Sequence, residues 1–178
     1  MTEKKEIDSE KYKLLYEYQK NQFEIAKNHY AKLEDKASKY LTFLGIVITA
    51  YTLMSKFYIF DYQINEPTTL IYYIICIYIG ITFYLLCDCS STLFQCLKVE
   101  EVSRPSGSQI MIDYIEENER NIVYKGLAHH YKDSIESYLE KNEIKANLLK
   151  LSYEKIRLCS SSLVVMIILI FIRKFIWG

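Results

Sequence analysis

Three stretches of this chain carry no charge, and their lengths constrain the fold more than anything else in it. No Asp, Glu, Lys or Arg falls between Lys39 and Lys56, between Glu66 and Asp88, or between Arg157 and Arg173. The runs read YLTFLGIVITAYTLMS, PTTLIYYIICIYIGITFYLLC and LCSSSLVVMIILIFI. A helix crossing a hydrocarbon core takes about 20 apolar residues. The second run supplies them alone. The first does so when the Lys56 stem snorkels and Phe57 to Phe60 reach the interface. The third is shorter. The expectation is an all-α membrane protein with two to three transmembrane helices, at 40–60, 67–97 and 158–174. Long cytoplasmic helical extensions, 1–39 and 98–157, would form a bundle, and 61–66 would be an outside loop.

The remaining charges orient these spans. Net charge is +0, from 22 Lys+Arg and 22 Asp+Glu, so charge alone calls for no polyanionic partner. Nine lysines precede residue 40, ten Lys or Arg lie in 98–158, and only Lys56 borders the loop between the first two spans. Basic residues collect on the cytoplasmic side of short loops. The N-terminus and the 98–158 segment are therefore expected inside. If the third run spans, the C-terminus is outside. Arg173 and Lys174 pull against that, which leaves a re-entrant or in-plane third helix open. The first 39 residues lack the apolar core of a signal peptide, so the first span is expected to act as its own insertion signal.

Between the apolar runs the chain also reads as helix. Residues 8–39 contain neither Gly nor Pro, and Leu15, Tyr18, Ile25, Leu33 and Tyr40 recur at helical spacing. Asp8 or Ser9 can cap the start. Nothing stops the helix before the first span, which gives one helix of about 45 residues, roughly 70 Å at 1.5 Å per residue. Asn65-Glu66-Pro67 reads as the outside turn, with Pro67 opening the second helix. The second helix can continue past Asp88 to Leu97. Ser103 to Ser108 is a run of turn formers. A short helix over 109–119 follows, then helix over 120–140 and again from Ile144 into the third run. Leu127, Tyr131, Ser134 or Ile135 and Tyr138 mark one apolar face there. Leu148, Leu151 and Ile156 continue it.

The sharpest pattern lies on the first helix. Asn28, Ala31, Asp35, Ser38, Thr42, Gly45, Thr49, Thr52 and Lys56 alternate spacings of three and four, which makes one small or polar face. Such a face can line a pore, with Thr42, Gly45, Thr49, Thr52 and Lys56 as the lining. It can equally be a close helix–helix contact. A weaker stripe runs through Gly80, Tyr84, Asp88, Ser91 and Gln95, adding Asp88 and Ser91 to the pore-lining candidates. Asp88 is either a boundary residue or an acid in lipid that needs a partner or water.

Little in the sequence points to chemistry. Adjacent histidines on a helix, as at His129-His130, face different directions and do not readily share a metal. They are expected to be solvated or packed in the bundle. Cys87 and Cys89 could be a metal pair, but small packing residues are the simpler expectation. Arg104-Pro105-Ser106-Gly107-Ser108 can cradle a phosphate through backbone amides or serve as an ordinary linker. No nucleotide loop, nucleophile elbow, HExxH or CxxC occurs. The chain reads as a non-enzyme with no cofactor or metal.

At Leu33 to Ala50, LEDKASKYLTFLGIVITA, an acid followed by Lys-Ala ends a long cytoplasmic helix just before a span. This resembles the small transmembrane effectors of bacterial anti-phage signalling systems: Pycsar-type effectors, SLATT-type effectors and the membrane effector of Hailong systems. The resemblance maps onto Asp35, Lys36, Ala37 and the start of the span. It implies a homo-oligomer in the bacterial inner membrane and a nucleotide or oligonucleotide signal. That signal would come from a nucleotidyltransferase or cyclase encoded nearby, and a membrane depolarised or permeabilised in response. The ligand would sit in a basic pocket among cytoplasmic helices. Lys32, Lys36, Lys39, Arg104, Lys125, Lys132 and Arg157 are the candidates, because phosphates favour basic clusters. Each can instead pair with a Glu at helical spacing. The competing expectations are a non-conducting scaffold that recruits a cytoplasmic enzyme to the membrane, and a subunit of a secretion or transport complex.

Overall fold

The computed structural model describes residues 2–60, 69–98, 102–105 and 107–177. They form four helices: α1 (Thr2–Phe60), α2 (Thr69–Leu97), α3 (Gln109–Glu117) and α4 (Arg120–Trp177). Three of these are long and apolar enough to cross a membrane, and α4 carries the most apolar window. Among the described residues there is no strand.

Two boundaries differ from expectation. Helix α1 is already formed at Thr2, so neither Asp8 nor Ser9 caps its start. TEKKEI contains no breaker, and straight-chain residues of this kind lose little freedom in a helix. Helix α4 runs through Lys141-Asn142-Glu143 without interruption. The expected turn at Asn65 to Pro67 lies outside the described residues. The break before α3 and the extension of α2 to Leu97 match the expectation.

The chain divides into two compact units, Met1–Glu34 with Val99–Ala146 and Asp35–Lys98 with Asn147–Gly178. In the first, α1 and α4 run parallel and interlock through aromatic rings spaced seven apart on each helix. Tyr16 meets Tyr124 and Tyr131, both at 5.7 Å between ring centroids. Phe23 meets Tyr131 at 5.3 Å and Tyr138 at 5.5 Å, and Tyr30 meets Tyr138 at 5.6 Å. Tyr16 and Phe23 thus each seat between two rings on α4, and Tyr30 packs against one. A seven-residue repeat keeps such a seam facing its partner, and edge-to-face pairs add about 0.5–1.5 kcal/mol each beyond area burial. The seam keeps Tyr131 and Tyr138 of the expected α4 face, and Leu33 of the expected α1 face is buried, but the α1 face departs from expectation at Leu15, Tyr18 and Ile25. Phe23, Ala26 and Leu33 are buried, whereas Leu15, Tyr18 and Ile25 are exposed. Leu151 is exposed as well, and its neighbour Ser152 is buried.

Helix α3 leans on α4 at one point. Tyr114 lies over Gly126 and donates its hydroxyl to the Ile122 carbonyl at 3.2 Å. A methyl group on residue 126 would meet the Tyr114 ring at 3.1–3.2 Å and overlap its hydroxyl. The linker before α3 is tied to α4 where the Ser103 amide donates to Ser137 Oγ at 3.3 Å.

In the second unit α1, α2 and α4 share one apolar core. Ala37, Leu44 and Tyr51 meet Ile75, Leu86 and Leu93 of α2 and Cys159 and Met166 of α4. Tyr51 Oη donates to the Ile79 carbonyl at 2.6 Å and Tyr72 Oη to the Ile59 carbonyl at 3.3 Å. Rising numbers on α1 meet falling ones on α2, so the two are antiparallel. The Thr82 and Ser162 hydroxyls meet at 2.7 Å, and Asp88 meets Lys155 at 2.7 Å. Helices α2 and α4 are therefore antiparallel too. The uncharged runs of all three helices lie side by side. The α2–α4 seam is built from Thr82, Cys89, Ser152, Cys159 and Ser162, all buried. Small and hydroxyl side chains of this kind let apolar helices approach closely.

Candidate functional site

The small, polar face of α1 is exposed along its length. Asn28, Ala31, Asp35, Ser38, Thr42, Gly45, Thr49, Thr52 and Lys56 are all exposed. The buried face of α1, through Ala37, Leu44 and Tyr51, lies five residues out of phase with this stripe. At 3.6 residues per turn that offset is about 140° around the helix. The stripe is thus not a helix–helix contact inside the protomer. Its three threonine hydroxyls donate within the helix. Thr42 Oγ1 donates to the Ser38 carbonyl at 3.0 Å, Thr49 Oγ1 to Gly45 at 2.9 Å and Thr52 Oγ1 to Ile48 at 2.8 Å. Back-bonded threonines keep their second lone pair for water, an ion or another helix. Thr42, Gly45, Ile46, Thr49, Ala50 and Leu53 line a shallow groove of about 490 Å³. Among the described residues, nothing beyond its own helical backbone and chain neighbours lies within 4 Å of where a Gly45 side chain would stand.

On α2 the weaker stripe is exposed at Gly80, Tyr84, Ser91 and Gln95. Asp88 departs from it. Lys155 of α4 donates to Asp88 Oδ2 at 2.7 Å and to Thr92 Oγ1, one helical turn along, at 2.8 Å. Asp88 ends one uncharged run and Lys155 stands just before another, so the pair closes the same end of both. The Lys155 side chain keeps 25% of its exposure and Asp88 42%, which makes this a partly wetted pair. Sequence reasoning selected Arg157 and missed Lys155. Arg157 is exposed and on another face of α4. The available signal was the spacing of Lys155 with the buried positions Ser152, Cys159 and Ser162.

Of the basic candidates, Lys32, Arg104, Lys125 and Lys132 belong to the first unit and Lys36, Lys39 and Arg157 to the second. Lys39 pairs with Asp35 at 2.6 Å and Lys132 with Glu136 at 3.5 Å, both one turn apart on exposed surface. Lys125 stands 5.9 Å from the centre of the Tyr12 ring. The buried cation of the first unit is Lys145, which was not among the candidates. It is 2% exposed and donates to Glu34 Oε1 at 3.1 Å, with its ammonium 4.6 Å over the Tyr30 ring. Burial lowers its pKa, but the hydrogen bonds and charge supplied by Glu34 and Tyr30 outweigh that and leave it raised. Burial raises Tyr30 in turn, against the pull of Lys145.

A cavity of about 520 Å³ between α3 and α4 is lined by Met111, Tyr114, Gly126, His129, His130 and Asp133, among others. Both histidines are exposed, as expected. Asp133 follows His129 by one helical turn, a carboxylate spacing that sequence reasoning overlooked. None of the basic candidates lines this cavity. Cys89 is buried and Cys87 exposed, so the two do not face one another's partners. Among the described residues no cluster of three His, Cys, Asp or Glu could hold a metal. Comparison with known proteins finds no family model, curated protein or solved structure that matches this chain.

Proposed function

We propose that this chain is a homo-oligomeric effector of bacterial anti-phage defence that spans the inner membrane three times, with its N-terminus cytoplasmic. Protomers associate to form an ion-conducting pore under the control of a nucleotide or oligonucleotide, made by a nucleotidyltransferase or cyclase encoded nearby. Opening depolarises the membrane. The observation that carries this reading is the exposed stripe on α1. Within the span it presents Thr42, Gly45, Thr49 and Thr52, and it ends on Lys56. Lipid is a poor neighbour for a polar face ending in a cation, whereas water in a lumen is a good one. The signal half of the proposal rests on the resemblance at Leu33 to Ala50.

The test is membrane potential, followed by a voltage-sensitive dye in bacteria expressing the chain, alone and with its neighbouring gene under phage challenge. Depolarisation in either condition is expected. Unchanged potential in both would exclude the pore. Thr49→Leu and Thr52→Leu should then block conductance while assembly survives. Lost assembly would make the stripe a packing face instead.

A scaffold is the second reading, favoured by Leu14, Tyr18 and Ile25, exposed at 69%, 58% and 54% on one side of α1. It requires a co-purifying soluble protein and no conductance.

A further inference from the structure

The aromatic seam of the first unit repeats every seven residues on both helices, so rings alone do not say which ring meets which. A shift of α1 by one heptad would still seat Tyr16, or Tyr30, between tyrosines of α4. We infer that Lys145, acting with Glu34 and Asn142, is the lock that selects a single register for this seam. Lys145 stands seven residues after Tyr138, at the position where the next ring of the series would fall. Its ammonium is satisfied in the observed register by Glu34 at 3.1 Å and by the Tyr30 face at 4.6 Å. Sliding α1 one heptad forward brings Lys27 to the place of Glu34 and sets two ammonium groups together. Sliding it one heptad back brings Leu41 there and leaves a buried cation facing apolar carbon. Either shift is opposed by the cost of burying an unpaired charge.

Asn142 adds a second constraint. It is 4% exposed and donates Nδ2 to the Ala26 carbonyl at 3.0 Å. Its Oδ1 is buried with no hydrogen-bond partner among the described residues. That is a site with stability given up, and polar residues at single core positions of coiled coils fix register at such a cost. Ala26 is also the small member of its own heptad series, which runs Gln19, Ala26, Leu33. A one-heptad shift would put a larger side chain where Asn142 now approaches the backbone. The lock stands on geometry within this unit, independently of whether the chain conducts.

The test measures the distance between spin labels, carried on unnatural amino acids at Lys20 and Lys132, in the full chain. The labelled chain is diluted with unlabelled chain. Tyr131 touches both Tyr16 and Phe23, so these two exposed positions are nearly level along the helices. A heptad shift in either direction separates them along the axis by about 10 Å. The wild type should give one population, exceeding any shifted one by more than about tenfold. Lys145→Met with Asn142→Leu should admit a second, longer distance at comparable abundance. The exchanged pair Glu34→Lys with Lys145→Glu should return to one population. A single unchanged distance in the Met/Leu variant overturns the lock. Should that variant lose its helicity, the exchanged pair decides alone: one narrow distance supports the lock, and mixed distances overturn it.

Discussion

Two lysines on α4 illustrate how the same side chain is used in different surroundings. Lys155 binds Asp88 and Thr92 at the end of the uncharged runs, with both charges still partly wetted. Removing Asp88 leaves an ammonium beside apolar helices with one hydroxyl for company. Removing Lys155 leaves a carboxylate that water already reaches. Asp88→Asn should therefore be more damaging than Lys155→Met, with a coupling of about 1 kcal/mol once solvent screening is allowed for. A double-mutant cycle of Tm values in detergent measures it, and equal single costs with no coupling would contradict the pairing. Lys145 is almost fully enclosed, and its proton is held more tightly in the fold than in the unfolded chain, as is that of Tyr30. The stabilisation from such groups is complete below their unfolded pKa values, 10.5 for lysine and 10.0 for tyrosine, and is lost as pH rises through the folded ones. Above about pH 10 the wild type should lose Tm more steeply than Tyr30→Phe with Lys145→Met. Parallel slopes would place the alkaline sensitivity elsewhere.

At the level of elements, α3 depends on a missing methyl group. Gly126→Ala in a helix interior ordinarily gains about 0.8–1.0 kcal/mol. Here the added carbon collides with Tyr114, so the substitution should instead loosen α3 and break the bond from Tyr114 to the Ile122 carbonyl. In a Tyr114→Ala background the same change should recover its stabilising sign. Hydrogen exchange over 109–117, with Tm, reads both outcomes; a stabilising Gly126→Ala in the wild type would mean the ring gives way freely. This contact was invisible in the sequence, since it joins residues on two helices. The extents of α2 and α3 were legible, because missing charge and clustered turn formers are local signals. The α1–α4 seam was legible on one side: Tyr131 and Tyr138 stood on the expected apolar face of α4, whereas Tyr16, Phe23 and Tyr30 of α1 did not stand out, and the α4 series is interrupted by Lys145 and Asn142. Leu15, Tyr18 and Ile25 looked like the better face because they are more plainly apolar. Phe23→Ala tests the seam that formed, with an expected cost of about 3–5 kcal/mol, against less than about 1 for Leu14→Ala.

For the whole chain, the open question in the sequence was the third uncharged run, which is short and ends in Arg173 and Lys174. Contacts between helices bear on it in a way that local pattern cannot. Thr82 with Ser162 and Asp88 with Lys155 run α4 antiparallel to α2 through the apolar length of both. If α2 crosses the bilayer, a helix bound along it in this way crosses too, and an odd number of spans puts the two ends of the chain on opposite sides. If the spans insert, the positive-inside rule would put the nineteen basic residues on the inner side, and two basic residues near Phe175 would be too few to reverse that orientation. A cysteine in place of Glu10 and one in place of Phe175 report the two ends. Both positions are exposed, and Phe175 is 93% so. An impermeant maleimide added outside the inner membrane should label the residue 175 variant in intact spheroplasts, and the residue 10 variant only after permeabilisation. Protection of both until permeabilisation would mean that α4 returns to the cytoplasmic side. The seam of Thr82, Cys89, Ser152, Cys159 and Ser162 would then have to come apart in the bilayer.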